Sequence, residues 1–127
     1  MATTAQYTAQ PLVECTTTVS AGSTTISTAL STSAANGVGK RILRVYSTIT
    51  GTNTAGKLSL YITASSNDFL IAERAVAANT VSATAAALRV EFPEAVGLVL
   101  PGGSTTSLKL VNGVNVTTNN VVESGLL

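Results

Sequence analysis

The sequence predicts an all-β domain, a sandwich or barrel of about eight strands, and three observations carry that expectation. Thr and Ser together make up roughly a quarter of the 127 residues. Thr, branched at Cβ and stiff at χ1, suits a pleated surface better than a helix. Clusters of Gly, Pro, Asn, Asp and Ser punctuate the chain about every eight to twelve residues, the spacing of sandwiches and barrels. In residues 57–63 the apolar Leu58, Leu60 and Ile62 alternate with Lys57, Ser59, Tyr61 and Thr63, the period of two that marks a half-buried strand.

A chain of this length with 45% hydrophobic residues can build one core, whereas two domains would each fall near the size at which a core struggles to form. Its supply of Val, Leu and Ile separates it from disordered Thr/Ser-rich chains, which lack them. Charge is scarce, at 10% of residues against about 25% in an average soluble chain. Seven Lys+Arg stand against six Asp+Glu, for a formal net charge of +1. That is too little for a face that neutralises many phosphates, so nucleic-acid binding is not expected. A neutral, hydroxyl-covered surface offers little repulsion between copies and favours association.

Taken in order, residues 1–10 are small and polar and read as a flexible arm, leaving 11–127 as a single sandwich domain. Residues 11–19 and 24–30 are short strand candidates around the Ser20-Ala-Gly-Ser23 turn. Residues 31–39 form a loop containing Asn36-Gly37, a pair that takes positive φ readily. In 40–50, Leu43, Val45, Ser47 and Ile49 fall on one face and Arg44, Tyr46 and Thr48 on the other. A hairpin-type loop over 51–56 leads into the strand at 57–63, and Ser65-Ser-Asn-Asp68 turns the chain into 69–76. Residues 72–88 hold eight alanines, the best helix former. Asn79-Thr-Val-Ser82 interrupts them and no apolar stripe persists, so strand, loop, strand is expected there. Later strands are 88–92, 96–100, 105–111 and 114–122, with reversals at Pro101-Gly-Gly103 and Asn112-Gly113. The second reversal resembles a hairpin signal.

The chemical inventory excludes more than it offers. With no histidine and Cys15 as the lone cysteine, the chain has no Ser-His-Asp or Cys-His pair, no His-ligated metal and no intrachain disulfide. Cys15, with no base nearby in sequence to lower its pKa, reads as a buried, inert thiol. Gly37-Val-Gly-Lys40 lacks the phosphate-loop spacing, with Ala34 where the first glycine belongs and Arg41 where Ser or Thr belongs. Glu91 and Glu94 are the one acidic pair close in sequence, and alternation with Val90 and Phe92 points Glu91 to solvent. No cofactor and no metal are expected. Residues 1–10 lack the basic and apolar regions of a secretory signal. The longest apolar stretch, around residues 95–100, is far below the roughly 20 that a membrane helix needs.

Two features remain. The basic cluster Lys40, Arg41 and Arg44 either guards a strand edge or docks on an acidic protein surface. Tyr46 and Tyr61, on the polar faces of what read as neighbouring strands, either expose a joint aromatic surface or pack across the strands. Phe69 and Phe92 are expected in the core.

The run Thr54-Ala-Gly-Lys-Leu-Ser-Leu-Tyr-Ile62, followed by Phe69-Leu-Ile-Ala-Glu-Arg-Ala-Val76, resembles a group of small virion proteins of tailed bacteriophages. The Thr/Ser/Ala loop at 80–87, the Leu100-Pro-Gly102 turn and the polar opening from Met1 to Tyr7 fit the same group. The resemblance covers roughly residues 38–111, and the chain departs from it in having no aromatic residue after Asn112. It implies a jelly-roll-like antiparallel sandwich and a non-enzymatic role decorating a phage capsid as a cement protein. The implied partner is the major capsid protein and the implied state a homotrimer, on a virion assembled in the bacterial cytoplasm. Its second implication is a tail, collar or fibre component that meets the host surface, for which Tyr46 and Tyr61 beside Arg44 are the expected residues.

Overall fold

Strands form where the side chains alternate, but sheet membership does not follow the order of the chain. The computed structural model describes residues 10–29 and 39–127. It contains β1 (Gln10–Thr18), β2 (Ser23–Thr28), β3 (Lys40–Ile49), β4 (Gly56–Ala64), β5 (Asn67–Val76), β6 (Leu88–Glu91), β7 (Val99–Leu100), β8 (Ser107–Asn112) and β9 (Thr118–Leu126). One sheet has the order β1-β9-β3-β6, with the short β7 also on β3; the other has the order β2-β8-β4-β5. All pairings are antiparallel. Apart from β4–β5 and β6–β7, successive strands go to opposite sheets, which is the jelly-roll arrangement of a β-sandwich. Apart from Gln10, the expected arm lies outside the described residues, as does the expected loop at 31–39 apart from Gly39.

The inner faces of both sheets supply the core: Ile42, Val45, Ile49 and Val122 from the β1 sheet, and Ile26, Leu58, Leu60, Leu108 and Leu110 from the β2 sheet. Phe92 and Ala95, bracketing a single 3-10 turn at Pro93–Ala95, close one side. The alanine-rich stretch is strand, loop, strand as expected: β5 ends at Val76 and β6 starts at Leu88.

Several expectations are corrected by this topology. The loop at 51–56 and the Asn112-Gly113 reversal are arches between sheets, because β3 and β4, and likewise β8 and β9, lie in opposite sheets. The hairpin is β4–β5, where Ser65 and Ser66 both take positive φ (51° and 66°), the requirement of a type I′ turn. The two arches touch at Gly113, whose N–H donates to the Lys57 carbonyl at 2.9 Å. A Cβ on Gly113 would stand 2.6 Å from that oxygen, so only glycine fits.

Leu43 is exposed, not inward. The register of β3 against β9 shifts between Ile42 and Arg44, so Leu43 is the extra residue of a β-bulge. Lys40 and Ile42 point inward before the bulge, and Val45, Ser47 and Ile49 after it. Turning a leucine out forgoes up to about 1.5–3 kcal/mol of burial. Phe69, also expected in the core, is 56% exposed, because it lies near the start of β5, an edge strand with a neighbour on one side only. Cys15 is exposed. The even-numbered residues of β1 take the inner face, and Cys15 pairs with Val121 on the outer one.

Part of the interior is polar, and most of its groups are joined in a network, with Ser124 Oγ and Asn53 Oδ1 left without a partner. Ser47 Oγ donates to Asn120 Oδ1 at 2.7 Å, and Asn120 Nδ2 donates to Thr18 Oγ1 at 2.8 Å. Asn112, fully buried, ties the β8–β9 arch: its Nδ2 donates to the carbonyls of Thr18 and Val116 at 3.0 and 2.8 Å, and its Oδ1 accepts from the Val114 N–H at 2.9 Å. Burying backbone groups without such partners costs about 1–3 kcal/mol each. Asn112→Ala is therefore expected to lower unfolding free energy by about 2–4 kcal/mol. Asn115→Ala, which loses one exposed bond to the Thr54 N–H, should cost less than about 1 kcal/mol. Urea midpoints of the two variants measure the contrast.

Candidate interaction surface

In an antiparallel sheet, paired residues share a face, so the registers lay out the outer face of the β1 sheet row by row. Pro11, Gly125, Arg41 and Val99 form one row. Val13, Glu123 and Arg44 form the next, with the bulged Leu43 beside them. Cys15, Val121, Tyr46 and Glu91 follow, and then Thr17, Asn119, Thr48 and Arg89. Val13 is 65% exposed, Leu43 42% and Val99 39%. A shallow groove runs along β1 and β9 at Cys15, Thr17, Asn119 and Val121.

The basic cluster does not converge. Arg41 and Arg44 lie on this outer face, but Lys40 points inward, with its side chain 3% exposed and Nζ 3.0 Å from Glu14 Oε1. Ser27 Oγ, from the opposite sheet, donates to the other oxygen of Glu14 at 2.7 Å. Lys40 thus belongs to a contact that ties the two sheets together. Nor is β3 an edge, since it lies between β9 on one side and β6 and β7 on the other, so edge protection does not account for these cations.

Tyr46 and Tyr61 are separated as well. They occupy different sheets, and the outer faces of a sandwich look in opposite directions, so no joint aromatic surface exists. The Tyr46 ring is covered by guanidinium groups, with Arg89 Cζ 3.7 Å and Arg44 Cζ 4.7 Å from its centroid. Such cation–π stacking occupies the ring surface a sugar would use. Arg89 was not singled out by sequence reasoning. Alternation within 88–92 places it outward with Glu91, but only the β6–β3 pairing brings it over Tyr46.

Charge elsewhere is neutralised pair by pair. Arg44 Nε donates to Glu91 Oε1 at 2.7 Å and Arg44 lies 3.7 Å from Glu123. On the outer face of the β2 sheet, Lys57 meets Glu73 at 3.0 Å and Lys109 meets Asp68 at 2.6 Å. Arg74 pairs with Glu94. With Glu14 on Lys40, all six carboxylates are engaged. Among the described residues Arg41 and Arg89 alone form no ion pair within 4 Å, although the Arg89 charge also helps to lower the Glu91 pKa, and Arg41 Nε is buried without an acceptor. Hydrogen bonds from Lys109 to Asp68, Lys57 to Glu73, Arg44 to Glu91 and Arg74 to Glu94 each hold the carboxyl pKa below its ordinary value. A general acid needs the opposite shift. Among the described residues no group of three or more His, Cys, Asp or Glu side chains is placed to hold a metal, and no helix is long and apolar enough to cross a membrane.

No protein-family description matches the sequence, and neither does any curated protein. Among solved structures, the chain aligns with one from the crystal structure of the T13 infectious bursal disease virus particle, at 14% identity and a TM-score of 0.40. That alignment covers 99% of this chain and 34% of the other. Chains of the Gx and Gt strains of the same virus align at 12% and 13% identity, with TM-scores of 0.37 and 0.35. These cover 99% of this chain in both cases, and 35% and 36% of the others. The chain spans about a third of the length of those it matches. TM-scores below 0.5 do not establish a common fold.

Two measurements follow from the ion pairs. Folding lowers the pKa of Asp68, Glu73, Glu91 and Glu94 from starting values of 3.8 and 4.5. Their contribution is therefore present above those values and lost as pH falls through the lower folded ones. The urea midpoint is expected to hold steady from neutral pH to about pH 5 and to fall below it, less steeply in high salt. A midpoint that rises on acidification would contradict the pairing. Separately, Glu14→Gln leaves the Lys40 ammonium buried beside a neutral amide and should cost about 2–4 kcal/mol. Glu14→Gln with Lys40→Met removes both charges and should recover most of that loss in the same midpoint measurement.

Proposed function

We propose that this chain is a non-enzymatic structural protein of a bacteriophage particle, which decorates the capsid and stabilises it through contacts with the major coat protein. One observation carries the reading. Every carboxylate is engaged by a cation of the same chain, so the charged side chains brace a neutral sandwich and offer no poised acid or base. The jelly roll supports it at the level of architecture, since virus capsid domains use that fold, as do lectins and cupins. The sequence resemblance over residues 38–111 supplies the phage and the cement role. A cement protein binds a site composed of neighbouring coat subunits. It therefore stabilises only the assembled shell, by mass action.

A fibre or receptor-binding role receives no support from the tyrosines, which face apart, with Tyr46 covered by arginine. The proposed state is a homotrimer, in which contacts repeated by closure match a three-fold position on the shell. Extra burial between copies also helps a sandwich of modest core.

Immunogold labelling of purified particles tests location: label over the capsid is expected, and label confined to tails, or none, would defeat the reading. Light scattering on the isolated protein at tens of micromolar tests the state. Three times the 12.8 kDa chain mass is expected, and a strict monomer that also fails to trimerise on capsids would overturn the trimer.

A further inference from the structure

We infer that the outer face of the β1-β9-β3-β6 sheet is the docking surface, and that its partner is a protein surface on which carboxylates border an apolar patch. The inference rests on the structural role proposed above and names the surface that performs it. The two outer faces of the sandwich differ in kind. On the β2 sheet, Lys57 with Glu73 and Lys109 with Asp68 cancel locally, and Ser59 and Thr63 hydrogen-bond the same carboxylates. The charges of that face are complete within the chain, and among the described residues its one exposed large hydrophobic is Leu70, opposite Tyr61. On the β1 sheet, Arg41 and Arg89, the two cations outside any ion pair, both point outward. Arg41 shares a row with Val99 and is one row from Val13 and Leu43, while Arg89 lies further along the face, over Tyr46.

Leu43 argues most directly. Unbroken alternation would bury it, and the bulge turns it out beside Arg44. Bulges re-aim side chains in this way near functional surfaces. Arg41 forms no ion pair within the chain, and its Nε is buried without an acceptor. Arg89 is held in place over Tyr46, so it loses little freedom on meeting a carboxylate. An apolar patch that includes Arg41, with Arg89 held further along the same face, calls for a partner with the complementary pattern.

The test uses phage particles grown without this chain, to which purified protein is added back and its bound fraction measured. Arg41→Glu with Arg89→Glu is expected to weaken binding about 10- to 100-fold. Thr25→Glu, a carboxylate on the opposite face beside Lys109, should bind within about two-fold of wild type. Should the double reversal fail to fold by its urea midpoint, Arg41→Gln with Arg89→Gln replaces it, with a loss of about 3- to 10-fold that shrinks as salt rises. Equal binding by wild type and the arginine variants overturns this inference and leaves the structural role standing, as does a loss confined to Thr25→Glu. Wild type that binds no particle overturns both. An arginine variant that dissociates the free oligomer assigns the face to contacts between copies and overturns the docking role.

Discussion

Nearly every strand of this chain is followed by one in the opposite sheet, and the rest of the structure depends on that crossing. Because β3 sits between β9 and β6 while β4 sits between β8 and β5, the links between consecutive strands are mostly arches. An arch brings no ladder of hydrogen bonds with it, so its backbone groups need other partners. Asn112 supplies them at the β8–β9 arch, with three bonds from one buried amide. The close approach of Gly113 to Lys57 locks that arch against the one from β3 to β4. Asn120, Ser47 and Thr18 form a similar polar tie inside the sandwich. Glu14, Lys40 and Ser27 hold the two sheets together at the middle of β1.

The pleat of β3 distributes charge within that frame. Side chains adjacent in sequence at the start of β3 are sent to opposite faces, so Lys40 becomes part of the interior and Arg41 part of the surface. Pairing then neutralises one outer face and leaves the other with three guanidinium groups against two carboxylates. In a chain with so few charges, that excess on one face is enough to distinguish it.

Most strands were legible, because period-two alternation is a local property. The last one, however, runs Thr118–Leu126 against the expected 114–122, and only Val99–Leu100 of the expected 96–100 is strand. The strand, loop, strand course of the alanine-rich stretch was read correctly because Asn79-Thr-Val-Ser82 breaks any helical stripe. Sheet membership was not legible, because a Gly- or Asn-containing link looks alike whether it joins neighbours in one sheet or arches across a core. The hairpin reading of Asn112-Gly113 failed on that ground. So did the joint surface of Tyr46 and Tyr61, two residues that alternation treats identically and topology sets apart. The exposed Leu43 depends on one extra residue opposite Glu123, which leaves no mark in the sequence. Arg89 gained its place over Tyr46 from a pairing between strands some forty residues apart, and Cys15 its exposure from the inward turn of Glu14.

What results is a braced, neutral sandwich with one face left chemically unfinished, a form that suits a part held by its neighbours better than one that transforms a substrate. The most direct measurement is an electron-microscopy reconstruction of the particle at a resolution that traces strands. The expected result is density for the jelly roll on the capsid exterior, with the β1-β9-β3-β6 sheet turned toward the coat protein and carboxylates of the coat opposite Arg41 and Arg89. Density in the tail, or a jelly roll on the capsid with that sheet facing solvent and the β2-β8-β4-β5 sheet against the coat, would contradict it.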